Sequence, residues 1–217
     1  MANELDELTG PVSEKGNDVN VIHKQIAVKV GPGSLVFEII LWVLGIIPGL
    51  IFLAMKVKAR NYLARLQQKI QHDASQIDNY LEQRVVILEN MAALVNKATK
   101  LDEETFKAIA QARSSGQSLK DKAAALENVN SKINVAMEAY PELKAHQEIA
   151  MAMQQNSYLQ KEITAAREVY NDTVLEWNGL IFRWPTYMIV AAKKGYTTRI
   201  PFSVSSETKQ RAREVFF

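Results

Sequence analysis

Apolar residues fill one stretch of the chain completely and recur at helical spacing through most of the remainder. From Leu35 to Met55 the sequence reads LVFEIILWVLGIIPGLIFLAM, 21 residues with one ionisable side chain, Glu38. At the helical rise such a run covers about 31 Å, the thickness of one bilayer core. It predicts a single transmembrane helix, and Gly45, Pro48 and Gly49 predict a bend in its second half. An acidic segment precedes it and it is too long for a signal h-region, so cleavage is not expected. The span divides the chain into an extramembrane segment at 1–34, an anchor at 35–55, a helical domain at 56–196 and a tail at 197–217.

Beyond the anchor, Ile77, Leu81, Val85, Leu88, Ala92 and Val95 step by four and three, one apolar stripe on a helix. No Gly or Pro lies between Lys56 and Lys100, so this helix is expected to run straight out of the membrane. Asp102 is the expected N-cap of a second helix, with Glu103 and Glu104 where the helix dipole favours carboxylates. Ser114-Ser115-Gly116 ends that pattern. A third helix is expected from Leu119 through Leu126, Val129, Ile133 and Ala136 to Tyr140, with Pro141 as a turn or as the first position of the next helix. Leu159, Ile163, Ala166, Tyr170, Val174, Trp177 and Ile181 form a coiled-coil-like seam that Trp184-Pro185 stops. The fold class expected is all-α, a membrane-anchored antiparallel bundle of about four helices. Two stretches, VIHKQIAVKV before the anchor and TTRIPFSV after the bundle, have strand character, and whether they pair is left open. The segment GLIFRWPTYMIVAAKKGY is too short in its apolar part to span and is expected to close the bundle.

Charge orients the anchor. Lys15, Lys24 and Lys29 precede it, whereas Lys56, Lys58, Arg60, Arg65 and Lys69 follow, which places the helical domain in the cytoplasm and the N-terminus outside. Net charge is only +2, from 26 basic and 24 acidic residues, and no basic face for nucleic acid stands out. Cysteine is absent, which excludes disulfides, thiol catalysis and Cys-based metal sites. His23, His72 and His146 are scattered, and Glu142 with His146 has the wrong spacing for a di-iron bundle. No phosphate-binding glycine loop or nucleophile elbow is present. Neither enzyme activity nor a cofactor or metal is expected.

Three features remain as candidates. Gly45 and Gly49 form a small-xxx-small pair on which two anchors would approach closely, set against ordinary glycine content of membrane helices. Glu38 either snorkels to the interface or makes a polar contact between neighbouring anchors. Tyr170-Asn171 and Trp177-Asn178 lie seven residues apart on one helix face, the aromatics as core and the asparagines fixing register or capping the loop near Pro185. Lys56, Lys58 and Arg60 suit anionic headgroups.

The run AAREVYNDTVLEWNGLIFRWPTYMIVAAKKGY resembles the signature of the LemA family, through Ala166-Arg167, Tyr170-Asn171, Trp177-Asn178, Trp184-Pro185, Ala191 and Gly195-Tyr196. Ile77-Asp78 with Arg84, Phe106 with Ala112-Arg113, and Ala139-Tyr140-Pro141 followed by Leu143-Lys144-Ala145 agree as well, so that the likeness covers 60–196. Ile87-Leu88-Glu89-Asn90-Met91 lacks the family's usual proline, and the long N-terminal segment and the tail after Tyr196 are distinctive. The resemblance implies a bacterial, membrane-anchored antiparallel bundle with the N-terminus outside and no established enzymatic activity. By analogy with members associated with magnetosome biogenesis, it also implies a tie to intracellular membrane compartments. The function expected is a non-enzymatic scaffold or membrane-organising protein that self-associates on the lipid bilayer. The alternative is a membrane-tethered adaptor docking one partner protein such as a protease, kinase or secretion component.

Overall fold

A computed structural model describes residues 25–98, 103–113 and 119–202. Asp102, Ser114-Ser115-Gly116, His23, Lys15 and Lys24 lie outside these residues. The described chain is all-α: α1 (Pro32–Val43), α2 (Ile46–Ala98), α3 (Glu103–Arg113), α4 (Leu119–Ala139), a 3-10 helix (Pro141–Ala145), α5 (Gln147–Ile181) and α6 (Thr186–Lys194).

The single helix expected over 35–55 is instead two helices, broken at Leu44–Gly45. Pro48 has no N–H to give, and its ring would clash with the carbonyl four residues back, that of Leu44, which kinks or breaks a helix at this point. Gly45 takes the break at φ 134°, a conformation that strains any residue with a Cβ. Pro48 then falls in the first turn of α2, where no N–H is needed. With 12 residues α1 is too short to span, and α2 meets Lys56, Lys58 and Arg60 soon after it starts. Among the described residues no helix is long and apolar enough to cross a membrane.

The described residues divide into two compact units, one of 25–72 with 169–201 and the other of 73–168 with Phe202. In the second unit the predicted stripe is the core: Ile77, Leu81, Leu88, Ala92 and Val95 are fully buried, joined by Leu126, Val129 and Ile133 of α4 and Leu159 and Ile163 of α5. Burial of each such large side chain contributes about 1.5–3 kcal/mol. Asp78 pairs with Lys122 and Arg84 with Glu127, both numbers rising together, so α2 and α4 run parallel. Parts of α2 and α5 with α3, α4 and the 3-10 helix build this unit, and the described residues hold six α-helices against the about four expected.

In the first unit Ala59, Leu63, Leu66 and Ile70 of α2 pack on Val174, Trp177 and Ile181 of α5, with Val190 and Ala191 of α6 and Val28 closing the cluster. Tyr62 donates to Glu176 and the Lys69 ammonium to Thr173 Oγ1 at 2.8 Å, falling against rising numbers, so α2 and α5 are antiparallel here. The two strand-like stretches meet in one antiparallel bridge, Ala27 with Thr197. Val28 N–H donates to the Tyr196 carbonyl at 3.2 Å and Thr198 N–H to that of Ile26 at 2.9 Å. Residues 203 and 204, the end of the second stretch, lie outside the described residues.

Candidate functional site

The apolar stretch folds back on itself as a helical hairpin. Phe37 meets Phe52 edge to face at 5.6 Å between ring centres, and the Lys56 ammonium reaches Glu38 at 3.1 Å. Nearer the turn, the Trp42 ring lies so close to Gly49 that a Cβ there would sit 2.6 Å from it. From the Phe37–Phe52 and Glu38–Lys56 contacts to Trp42 over Gly49, both arms close on Gly45, so they run antiparallel. Gly45 is therefore the turn and Gly49 the floor under Trp42 of the same chain, which accounts for the glycine spacing without a second copy.

The hairpin's outer surface is apolar throughout. Seven large apolar side chains before Gly45 and seven after it are exposed. Those at the turn stand out most, with Val43 80% exposed and Ile47 73%. Monomeric soluble proteins rarely show contiguous apolar patches beyond a few hundred Å².

Its base is polar and tied down. Glu38 accepts from both Lys56 and Lys193, the latter at 2.9 Å, so its partners lie in its own chain. Exposed Lys58, Arg60, Arg183 and Lys194 flank this cluster along α2, after α5 and at the end of α6. Trp184, 55% exposed, packs at a tilt against Phe37 with ring centres 5.0 Å apart. Gly195 ends α6 at φ 66°, the left-handed position where glycine is the default, and Tyr196 N–H returns to the Ala191 carbonyl at 2.9 Å.

The signature aromatics and asparagines serve this base. Trp177 is buried, its indole N–H donates to the Thr197 carbonyl at 2.9 Å, and its ring packs on Tyr196 at 5.2 Å. Asn178 holds Arg199 from both sides, donating to its carbonyl at 2.9 Å and accepting its N–H at 2.8 Å. The asparagine thus fixes the segment after Gly195. Tyr170 is half-buried against the same core, and burial pushes its hydroxyl pKa up. Asn171 is half-buried on α5, and Pro185 follows Trp184 through a cis peptide bond. Tyr140 and Pro141 stand apart from all of these, at the start of the 3-10 helix in the other unit. Replacing Asn178 by Ala removes two hydrogen bonds worth about 1 kcal/mol each. Amide exchange at Thr198 and Arg199 should then rise by about tenfold or more, with α4 unchanged. Unchanged exchange at those two amides would contradict the role assigned to Asn178.

In the second unit the side chain of Arg84 is buried on the apolar stripe and needs partners there. Its Nε donates to Asn156 at 2.9 Å and its Nη2 to Glu127 at 3.0 Å, while Asn156 donates to Asn130 at 2.9 Å. Burial, with the Arg84 charge nearby, lowers the Arg167 pKa; its guanidinium lies 4.5 Å from the Phe202 ring centre. The sequence singles out Arg84 but not its network, although a charge three residues after Leu81 and four before Leu88 signals one. Among the described residues no group of acidic or histidine side chains is placed to hold a metal ion. His72 and His146 are both exposed and on different elements.

The sequence model of the LemA family matches residues 73–217. The match begins after the hairpin and runs through the tail beyond Tyr196. No curated protein matches the chain.

Proposed function

The chain belongs to the LemA family, and from that premise we propose that it is a non-enzymatic, membrane-seated scaffold whose copies associate with one another. One observation supports the membrane seat: the α1–α2 hairpin exposes an unbroken apolar surface above a cluster of basic side chains. Hydrocarbon covers the sides of such a hairpin well, because along each arm the backbone hydrogen bonds are made within the helix. Lys58, Arg60 and Lys194 then meet anionic headgroups, each contributing about 1 kcal/mol near the surface. The membrane is a bacterial cell membrane or an intracellular one derived from it, and the helical units project from its cytoplasmic face. Hairpins seated side by side would bring copies together and leave those units free to organise the surface.

The mass of the full chain in mild detergent tests the self-association. Light scattering should give a protein mass several times the 24.4 kDa of one chain. A mass of one chain would overturn the scaffold and leave a tethered monomer.

A further inference from the structure

Given the membrane seat proposed above, on which this step rests, we infer that the hairpin enters one leaflet only, so that the residues before it and the domain after it stay on the same face of the membrane.

Three independent features of the first unit point to this. The first is reach. From Glu38 to Gly45 is about 10 Å at the helical rise, and from Ile46 to Lys56 about 15 Å. One leaflet of hydrocarbon is about 15 Å thick, half of the usual core. The arms therefore bring Val43, Leu44, Ile46 and Ile47 to the bilayer midplane and no further.

The second is the pairing of the flanks. Residues 26–28, just before α1, are hydrogen-bonded to 196–198, just after α6. Thr198 Oγ1 also accepts the Ile26 N–H at 2.6 Å. Asn178 and Trp177 hold 197–199 from α5, which lies beyond the hairpin in the chain. A spanning anchor would put 26–28 and 196–198 on opposite faces and sever the bonds between them, while those from Trp177 and Asn178 keep 197–199 on the face of α5.

The third is the charge at the base. Glu38, the one ionisable group within the apolar stretch, is held by Lys56 from the other arm and by Lys193 from α6. A straight anchor would carry Glu38 about 27 Å from Lys56, eighteen residues along one helix, and leave it at the far interface without either ammonium. The hairpin instead keeps all three charges level with Trp184 and Lys194, where an interfacial aromatic and a snorkelling lysine belong.

The natural chain has no cysteine, so single cysteines report position directly. Full-length chains carrying Gln25→Cys, Ser157→Cys or Leu44→Cys would be expressed in bacteria and exposed to a membrane-impermeant maleimide, in intact cells and in inverted vesicles. Gln25 and Ser157 are exposed, and Leu44 lies at the turn. The expected result is that Gln25→Cys and Ser157→Cys react together, both in one preparation and neither in the other. Leu44→Cys should react in neither until detergent is added. Reaction of Gln25→Cys and Ser157→Cys in opposite preparations would overturn the one-leaflet hairpin and leave a membrane protein that spans. Recovery of all three chains in the soluble fraction after an alkaline wash would overturn the membrane seat itself, and with it this inference.

Discussion

Trp177→Ala should cost about 3–5 kcal/mol, the usual loss for a fully buried aromatic. Trp177 is 1% exposed at the centre of the cluster formed by α2, α5 and α6. Its removal leaves a cavity against Leu63 and Val190 and strips the Thr197 carbonyl of its donor. Loss of that bond loosens the segment which pairs with 26–28, so the base of the hairpin should open before the rest unfolds. Trp177→Phe separates the two contributions: most of the apolar volume stays, and the lost N–H donor costs about 1–2 kcal/mol. Leu175→Ala, two positions away on the exposed face at 72%, should stay within about 0.5 kcal/mol of the parent. Urea unfolding in mild detergent, followed by circular dichroism, would rank the three. Equal losses for Trp177→Ala and Leu175→Ala would contradict this core.

The bundle is legible because its helices carry one apolar stripe each. Ile77, Leu81, Val85, Leu88, Ala92 and Val95 are all buried as the 3.6-residue period predicts, and so are Val174, Trp177 and Ile181. The apolar stretch misleads for a physical reason. Its 21 residues match a bilayer in length, and that match outweighs the local signal of Gly45 and Pro48, which by itself predicts no more than a bend. Pro48 weakens the helix at Leu44, and Gly45, at φ 134°, is the residue able to turn the chain back. What fixes the return is invisible to periodicity: Trp42 fits over Gly49 for want of a Cβ, and Glu38 finds Lys193 from 155 positions away. Spacing suggests that Asn178 fixes register or a loop, but its partner, the Arg199 backbone, has no sequence pattern of its own. The topology drawn from Lys56, Lys58 and Arg60 against Lys29 presupposes a spanning helix. With the chain folded back at Gly45 and seated as proposed, the same three basic residues would lie beside the entry point, and their preference for the anionic cytoplasmic leaflet would place both flanks of the hairpin on that face.

The second large effect tests the proposed fit of the hairpin to lipid. Leu44→Asp with Ile47→Asp places two carboxylates at the tip, at about 2.5–3.5 kcal/mol each for a charge at the bilayer centre. Leu44 and Ile47 are 71% and 73% exposed, so the substitutions remove no core contact and helix content should not change. Flotation of the full chain with phosphatidylglycerol vesicles, and with phosphatidylcholine vesicles for comparison, is the most direct measurement. The parent chain should rise with the vesicles, more completely with the anionic lipid, and the double variant should stay at the bottom of the gradient with its helices intact. A parent chain that does not float, or a variant that floats as well as the parent, would contradict the seating of this hairpin in a membrane.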